Sequence, residues 1–119
     1  MVVGCARSLL FANQITSTLP QKLGDMTWLE RLRLDANSIP GTIPSEWGTM
    51  KGLTYLNLAQ NTLTSTVPTE LGLIDGLTIF VCDNEKLCGL VPEGVTLGSD
   101  DYTCSGDGQV LIPALNPKP

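Results

Sequence analysis

The chain contains no histidine among its 119 residues, and this absence removes many forms of catalysis. Histidine is the commonest general base, a common zinc ligand, and the partner of most serine and cysteine nucleophiles. No glycine-rich phosphate-binding motif is present, and the acidic residues at 99–101 and 107–108 lack the spacing of a calcium-binding loop. We therefore predict no catalytic residue, no metal site and no cofactor.

Basic residues and long apolar runs are also scarce. Seven lysines and arginines against twelve acidic residues give a formal net charge of −5, so nucleic acid is not an expected partner. No apolar run approaches the roughly 18 to 20 residues that cross a bilayer, and no membrane span is predicted within the chain. The start, MVVGCARSLLF, is interrupted by Arg7 and is not interpreted as a signal peptide. The chain is expected to be truncated at this end.

What the sequence does contain is a pattern that occurs four times at a constant spacing of 24. The positions that mark it are Pro20, Pro44, Pro68 and Pro92, Asn13, Asn37 and Asn61, Gly24, Gly48 and Gly72, and Leu29, Leu53 and Leu77. A fixed period in this range indicates stacked structural units that share one continuous core.

Each recurring position has a physical interpretation. Leu32 and Leu34 lie two residues apart, which is the period of a strand with one buried face. The asparagine column, Asn13, Asn37 and Asn61, is predicted to bond backbone groups of its own turn and of the neighbouring repeat. Ile43-Pro44 is predicted to end a short second strand, and the proline then opens a helical turn. Gly48 suits a left-handed cap at the end of that turn.

Two stretches, LERLRLDANSIPGTIPSEWG and LTYLNLAQNTLTSTVPTELG, resemble the plant-type extracellular leucine-rich repeat, LxxLxLxxNxLxGxIPxxLGxL. The resemblance implies an α/β solenoid, a short right-handed stack with a parallel β-sheet on its concave side and 3-10 or helical turns on its convex side. The family includes ectodomains of receptor-like kinases and secreted proteins of the polygalacturonase-inhibitor type. It therefore implies an extracellular or cell-surface module that recognises a protein or peptide and catalyses nothing.

The repeats are expected over residues 1–95, at about 5–28, 29–52, 53–76 and 77–95. Residues 96–106 are expected to form a degenerate C-terminal cap, and residues 107–119 a proline-containing, poorly ordered tail. The fourth repeat departs from the pattern, because a spacing of 24 places Glu85 in the asparagine column and leaves Asn84 one position early. The same spacing places Cys82 at a core leucine position.

The four cysteines stand at positions 5, 82, 88 and 104. Because Cys104 follows Phe80 at the repeat spacing, the segment DYTC is predicted to start a fifth strand that brings Cys104 near Cys82 or Cys88. The family commonly ends in a cysteine-bearing cap, so the resemblance favours a bridge from Cys104, with Cys88 preferred over Cys82 as its partner. Four reduced thiols are the alternative, whereas a bridge implies an oxidising compartment.

Side chains between the strand leucines are predicted to point outward on the concave face, the surface with which solenoids bind partners. Tyrosine and arginine, which are enriched at binding hot spots, occur there. The predicted ligand-binding residues are Phe11, Arg31, Arg33, Asp35, Tyr55, Asn57, Ile79 and Val81.

Three alternatives to ligand recognition are open. The threonine column Thr18, Thr42 and Thr66 resembles the flat surface of an ice-binding solenoid. The chain is also interpretable as a structural fragment without activity of its own. A carboxylate pair of Asp35 and Asp83, two strands apart, would be separated by about 10 Å, which exceeds the roughly 6.5–9.5 Å of an inverting glycosidase. We therefore do not favour an enzyme.

Overall fold

A computed structural model describes residues 7–9, 14–84, 86–87, 89–98 and 111–113, and of these it describes residues 7–9, 89–90 and 111–113 by their backbone alone. These residues form a main sheet of five short parallel strands in the order β1-β2-β4-β6-β9. These strands are Arg7–Leu9 (β1), Arg31–Arg33 (β2), Tyr55–Asn57 (β4), Thr78–Phe80 (β6) and Thr96–Leu97 (β9). The stacked repeats that the recurring pattern predicted, and the parallel sheet that the resemblance implied, are both confirmed.

Smaller parallel sheets form where the chain leaves the main sheet. Their strands are Pro40–Gly41 (β3), Thr62–Ser65 (β5) and Lys86–Leu87 (β7), and, as a separate pair, Gly89–Val91 (β8) and Leu111–Pro113 (β10). In the second and third repeats, the second strand therefore ends before Ile43-Pro44 and Val67-Pro68 instead of including them. Part of the tail predicted to be poorly ordered, Leu111–Pro113, pairs with β8, and Leu111 lies opposite Gly89. The number of residues between Gly89 and Leu111 is the same as between the paired residues of β3 and β5, and as between those of β5 and β7.

The part of the chain that is described also contains three 3-10 helices, Gln21–Asp25, Ser45–Thr49 and Thr69–Leu73, which complete the repeats. Each begins directly after a proline with an extended backbone, at Pro20, Pro44 and Pro68. Proline suits this position because its fixed φ leads into a helical turn and its missing N–H would have no partner there. The helical turns predicted after these prolines are thus confirmed.

The glycines within the 3-10 helices allow neighbouring repeats to approach closely. A Cβ atom on Gly24 would lie 2.6 Å from the carbonyl oxygen of Glu46, and one on Gly48 would lie 2.6 Å from that of Glu70. Neither glycine has a left-handed φ, so the left-handed cap predicted for this column is wrong. The column is glycine because any side chain would push apart two stacked turns.

The core is a continuous column of apolar side chains, to which each repeat adds one layer. Leu32, Leu56 and Ile79 lie in register on the three central strands, and all three are fully buried. Trp47 is also fully buried, and its indole N–H donates to the carbonyl of Pro20 at 2.9 Å. This bond satisfies the only polar group of a large buried side chain and joins two repeats.

The asparagine column is a ladder of side-chain hydrogen bonds within the core. Asn61 donates from Nδ2 to the carbonyls of Leu58 and Leu34, each at 3.0 Å, and its Oδ1 accepts from the backbone N–H of Ile39 at 3.0 Å. Asn37 donates to Leu34 O at 2.9 Å and accepts from the N–H of Ile15 at 2.9 Å. The asparagine side chains therefore supply hydrogen bonds to backbone groups at the turns, where the chain has left the sheet. Buried backbone N–H and C=O groups require such partners.

The fourth repeat has a different register from the one that a spacing of 24 predicts. Tyr55 pairs with Thr78, which is one position earlier than the regular spacing would place its partner. Asn84, not Glu85, then occupies the ladder: it donates to Val81 O at 3.0 Å and to Leu58 O at 2.9 Å. Glu85 lies outside the described residues, but its predicted position in the column is already filled.

This shift reverses the faces of the strand, so two predicted ligand-binding residues are wrong. Ile79 is fully buried and Val81 is 2% exposed, so both belong to the core and neither faces outward. Cys82, predicted in a core leucine position, is half-buried on the outer face instead. The physical reason is the two-residue period of a strand, in which a slip of one residue exchanges the buried and exposed sides.

The C-terminal end also differs from the prediction. The edge of the main sheet beside β6 is occupied by Thr96–Leu97, and Thr78 pairs with Thr96 there, at a much shorter spacing than in the other repeats. The segment DYTC, predicted as that strand, lies outside the described residues, and the position predicted for it beside β6 is occupied by Thr96–Leu97. Because residues 96–97 belong to the sheet, the start of the predicted cap at residue 96 falls on a strand.

Candidate functional site

The outer surface of the main sheet, termed the sheet face, is formed by nine half-buried residues of three successive strands and the positions that follow them. They are Arg31, Arg33, Asp35, Tyr55, Asn57, Ala59, Thr78, Phe80 and Cys82. Each strand supplies side chains to this surface at alternate positions, because strand residues point to opposite sides in turn. Five of the eight predicted ligand-binding residues belong to the sheet face: Arg31, Arg33, Asp35, Tyr55 and Asn57.

A stack of three side chains crosses the sheet face from β2 to β6. The guanidinium carbon of Arg31 lies 4.1 Å from the centre of the Tyr55 ring, a cation–π contact. On the other side, the centroids of the Tyr55 and Phe80 rings are 5.0 Å apart, with an interplanar angle of 41°. Phe80 in turn lies over Gly98, where a methyl group would overlap the ring. The stack therefore extends to the end of the sheet and holds its members in place.

Arg33 is engaged differently from Arg31. Its Nε and one terminal nitrogen donate to the two carboxylate oxygens of Asp35 at 3.1 and 2.9 Å. This two-point pairing has the geometry in which arginine binds carboxylates most strongly. The hydrogen bonds with Asp35 raise the pKa of Arg33 above its ordinary value. Both carboxylate oxygens of Asp35 thus accept a hydrogen bond from the same guanidinium.

Asn57 contributes to the shape of the sheet face. Its Oδ1 accepts from the backbone N–H of Ala59 at 3.1 Å, which closes the turn after β4. Its Nδ2 lies 3.4 Å from the hydroxyl oxygen of Tyr55 and donates to it. The residue therefore holds the end of the tyrosine side chain, in addition to any contact with a ligand.

Sequence reasoning missed Phe80 and Gly98, and it misplaced the residues of β6. A signal for the strand was present, because Leu77, Ile79 and Val81 alternate with Thr78 and Phe80. Asn84 follows Val81 by three residues, as Asn61 follows Leu58 and Asn37 follows Leu34. The predicted residues Phe11 and Asn13 lie outside the described residues.

The threonine column lies on a different part of the molecule. Thr18, Thr42 and Thr66 are exposed, and together they line an open groove of about 640 Å³. Gly41 and Pro44 form part of the same groove. The ice-binding alternative, which depended on this threonine column, has no further support.

The cysteine prediction is tested only in part. Cys82 is disulfide-bonded, and its partner lies outside the described residues. The predicted bridge between Cys88 and Cys104 falls on residues that the structure does not describe. Because Cys82 is on the sheet face, its disulfide lies at the edge of the candidate site, next to the position of Ala59.

Within the described ranges, no group of three or more cysteine or carboxylate side chains is arranged to hold a metal ion. No helix in the described part of the chain is long and apolar enough to cross a bilayer.

Comparisons with known proteins identify the repeats. The family model named Leucine Rich Repeat matches residues 28–50 and 52–74. No curated protein sequence matches the chain significantly.

Several solved structures share the fold. The ectodomain of the plant membrane receptor kinase GASSHO1/SCHENGEN3 from Arabidopsis thaliana, in complex with CASPARIAN STRIP INTEGRITY FACTOR 2, is 31% identical with a TM-score of 0.67, over 76% of this chain and 12% of that one. PEPR1 in complex with AtPEP1 is 33% identical with a TM-score of 0.61, over 65% of this chain and 11% of that one. The plant peptide hormone receptor RGFR1 with RGF2, at 20% identity and a TM-score of 0.55 over 77% of this chain and 19% of that one, shares the fold alone. The chain thus spans only a small part of each of these proteins.

Proposed function

Because the chain is a leucine-rich repeat solenoid, we propose that it recognises a peptide or protein ligand on the sheet face and catalyses no reaction. The observation that carries this proposal is the stack of Arg31, Tyr55 and Phe80, which presents a fixed cationic and aromatic surface. Tyrosine and arginine dominate the energetics of many protein interfaces. Side chains that are ordered before binding lose less conformational entropy when a ligand binds.

Two of the similar structures support a recognition role. GASSHO1/SCHENGEN3 is an ectodomain in complex with CASPARIAN STRIP INTEGRITY FACTOR 2, and PEPR1 is in complex with AtPEP1. Each is about one third identical to this chain over the aligned part. By analogy, the present repeats are part of a ligand-binding surface that belongs to a receptor ectodomain or to a secreted recognition protein.

A non-catalytic role is consistent with the chemistry of the sheet face. The chain has no histidine, and the carboxylate of Asp35 is held by the guanidinium of Arg33. Neither a nucleophile with an adjacent base nor a pair of free carboxylates is therefore present among the described residues of this face.

We also propose that the chain works outside the cell or at its surface. The disulfide of Cys82 supports this location, because disulfides persist in oxidising compartments. Alkylation of the purified chain with and without reductant, followed by mass spectrometry, tests it. At least two cysteines should be protected from alkylation until reductant is added, and four reactive thiols without reductant would contradict the proposal.

Display of random peptides on phage, selected against the immobilised chain, tests the proposed function itself. Peptides recovered from the selection should bind the chain in solution. Replacement of Tyr55 by alanine should weaken that binding by about 1 kcal/mol or more, as expected of a hot spot. Thr42→Ala, which lies in the threonine groove away from the sheet face, is the matched control and should leave the affinity unchanged. Equal loss from both variants, or no specific peptide at all, would contradict recognition by the sheet face.

A further inference from the structure

The two arginines of β2 differ in the hydrogen-bond donors that they can offer to a ligand. Arg33 is paired with Asp35 through two hydrogen bonds, and theirs is the only ion pair among the described residues. Arg31 has no carboxylate within 4.0 Å in that part of the chain. Its contact to Tyr55 is made through the face of the ring and engages none of its N–H donors in a hydrogen bond. Arg31 therefore retains an unused set of donors on the half-buried sheet face.

The stack limits the freedom of that guanidinium. Tyr55 covers Arg31, Phe80 contacts Tyr55 with ring centroids 5.0 Å apart, and the absence of a side chain at Gly98 makes room for Phe80. Asn57 holds the tyrosine hydroxyl from the neighbouring position. A guanidinium fixed on an aromatic face presents its planar fork in one orientation, so it loses less entropy when it binds a carboxylate with two hydrogen bonds.

The charge distribution favours a ligand with a negative charge. All three arginines of the chain, Arg7, Arg31 and Arg33, lie in the adjacent strands β1 and β2, and Arg7 is in register with Arg31. The whole chain nevertheless has a formal charge of −5. The arginines are thus concentrated at one end of the main sheet, beside the aromatic rings. A complementary ligand carries a negative charge next to an apolar side chain.

From this arrangement we infer that Arg31, and not Arg33, binds an aspartate or glutamate side chain of an extended peptide whose apolar residue packs on Tyr55 and Phe80. The inference rests on the proposed function and adds the chemical class of the ligand and the residue that selects it. Tyr55 and Phe80 act as positioning residues for Arg31 as well as contacts for the apolar residue. Arg33 stays paired with Asp35 when the ligand binds.

The test uses peptides from the random phage library, synthesised singly. Each is compared with forms in which Asp or Glu is replaced by Asn or Gln, and with a form whose C-terminal carboxylate is amidated. Arg31→Gln should weaken binding of the acidic peptide by about tenfold or more, since a two-point charged hydrogen bond is lost. The matched control removes the other pair without leaving a lone charge, as R33Q together with D35N, and should change the affinity by less than about threefold.

Three further measurements separate a ligand contact from a structural effect. Affinity of the acidic peptide should fall as salt is raised, and R31Q should remove most of that dependence, which a loss of folding would not do. R31K, which keeps the charge but loses the fork, should give an intermediate affinity. Gly98→Ala displaces Phe80 without altering any charge, and it should weaken the same peptides while leaving their salt dependence in place. Thermal unfolding of each variant verifies that it is folded.

The outcomes distinguish this inference from the proposed function. Peptides that bind with no preference for Asp or Glu, or a larger loss from the R33Q/D35N control than from R31Q, overturn the inference and leave peptide recognition standing. Loss of binding on amidation, but not on replacement of the acidic side chains, also overturns it, because the carboxylate would then be the peptide terminus. A selection that gives no binding peptide contradicts the proposed function, and the inference with it.

Discussion

The second and third repeats differ from the fourth in register, although all three contribute to the same sheet and the same core. Between the second and third repeats the main sheet advances at the regular spacing, from Arg31 to Tyr55. From the third to the fourth it advances by one position less, from Tyr55 to Thr78. The regular repeats present arginine and tyrosine outward, and the shifted repeat presents Phe80. The shorter spacing thus gives the fourth repeat a different chemistry on the sheet face without interrupting the core.

The comparison also shows which features tolerate such a change. The asparagine ladder is kept, because Asn84 makes the same bonds from the shifted register that Asn61 makes from the regular one. Layers of buried side chains are kept as well, since Ile79 lies in register with Leu56. Short connections absorb the missing residue, as loops generally do. Core and ladder therefore define the repeat better than a fixed number of residues does.

The largest expected effect comes from placing a charge on each side of β6. Ile79→Asp removes a fully buried side chain and buries a carboxyl group, so it should destabilise the chain by about 4 kcal/mol or more. Phe80→Asp on the sheet face should cost much less, because its carboxylate remains in contact with water. Urea denaturation followed by circular dichroism measures both. If Phe80→Asp destabilised the chain more than Ile79→Asp, Phe80 would be the core residue, as a spacing of 24 predicts.

A smaller effect should follow from the ladder itself. Asn84→Ala removes bonds to Leu58, Val81 and the N–H of Leu63, and we expect a loss of about 3 kcal/mol. Asn61→Ala in the regular repeat should cost a similar amount. Glu85→Ala should cost much less than Asn84→Ala, because Asn84 already makes the bonds of the ladder in this repeat. A large loss at Glu85 and none at Asn84 would contradict the assignment of the ladder.

Much of this architecture could be predicted from the sequence, because the repeat period is itself a physical constraint. Stacking requires the same apolar and polar groups in each repeat. The recurrence of Leu32, Asn37 and Pro44 therefore predicts the strand, the asparagine ladder and the helical turn. The register of the fourth repeat could not be predicted from Leu77. That leucine keeps the 24-residue spacing and is buried in the core, but the strand that follows it begins one residue earlier than this spacing predicts. Counting from Asn84 gives the observed register.

The candidate site was less predictable than the fold. Side chains on regular strands, such as Arg31 and Tyr55, were assigned to the correct face from alternation alone. Their contacts were not, since the ring stack depends on where Phe80 lies relative to Tyr55 and on Gly98, which follows a strand with no repeat signal. The pairing of Arg33 with Asp35 also depends on rotamers that a sequence pattern does not specify.

An intermediate effect is expected from two glycines, one in the contact between the two regular repeats and one just before the shifted strand. Gly48→Asn places a side chain against the backbone carbonyl of Glu70, and it should cost about 2 kcal/mol or more through overpacking. Gly76 precedes the shifted strand and has φ of +77°, and a Cβ atom added to it would meet nothing within 4 Å. Asparagine tolerates that left-handed conformation, so Gly76→Asn should remain within about 0.5 kcal/mol of the parent chain. Thermal unfolding of the two variants tests the difference, and equal losses would mean that the close contact between repeats is not what selects glycine.

The smallest effect concerns the residue just before each ladder asparagine. Gln60 and Asp83 occupy the same position in the third and fourth repeats, and both have a left-handed backbone, with φ of 58° and 63°. Aspartate adopts this conformation more readily than glutamine does, because its short side chain bonds locally. Gln60→Gly should therefore stabilise the chain by about 0.5 kcal/mol, and Asp83→Gly should change its stability less or lower it slightly. Urea midpoints measured in parallel resolve the two variants. If Asp83→Gly gave the larger gain, the shifted repeat, and not the regular one, would hold the more strained turn.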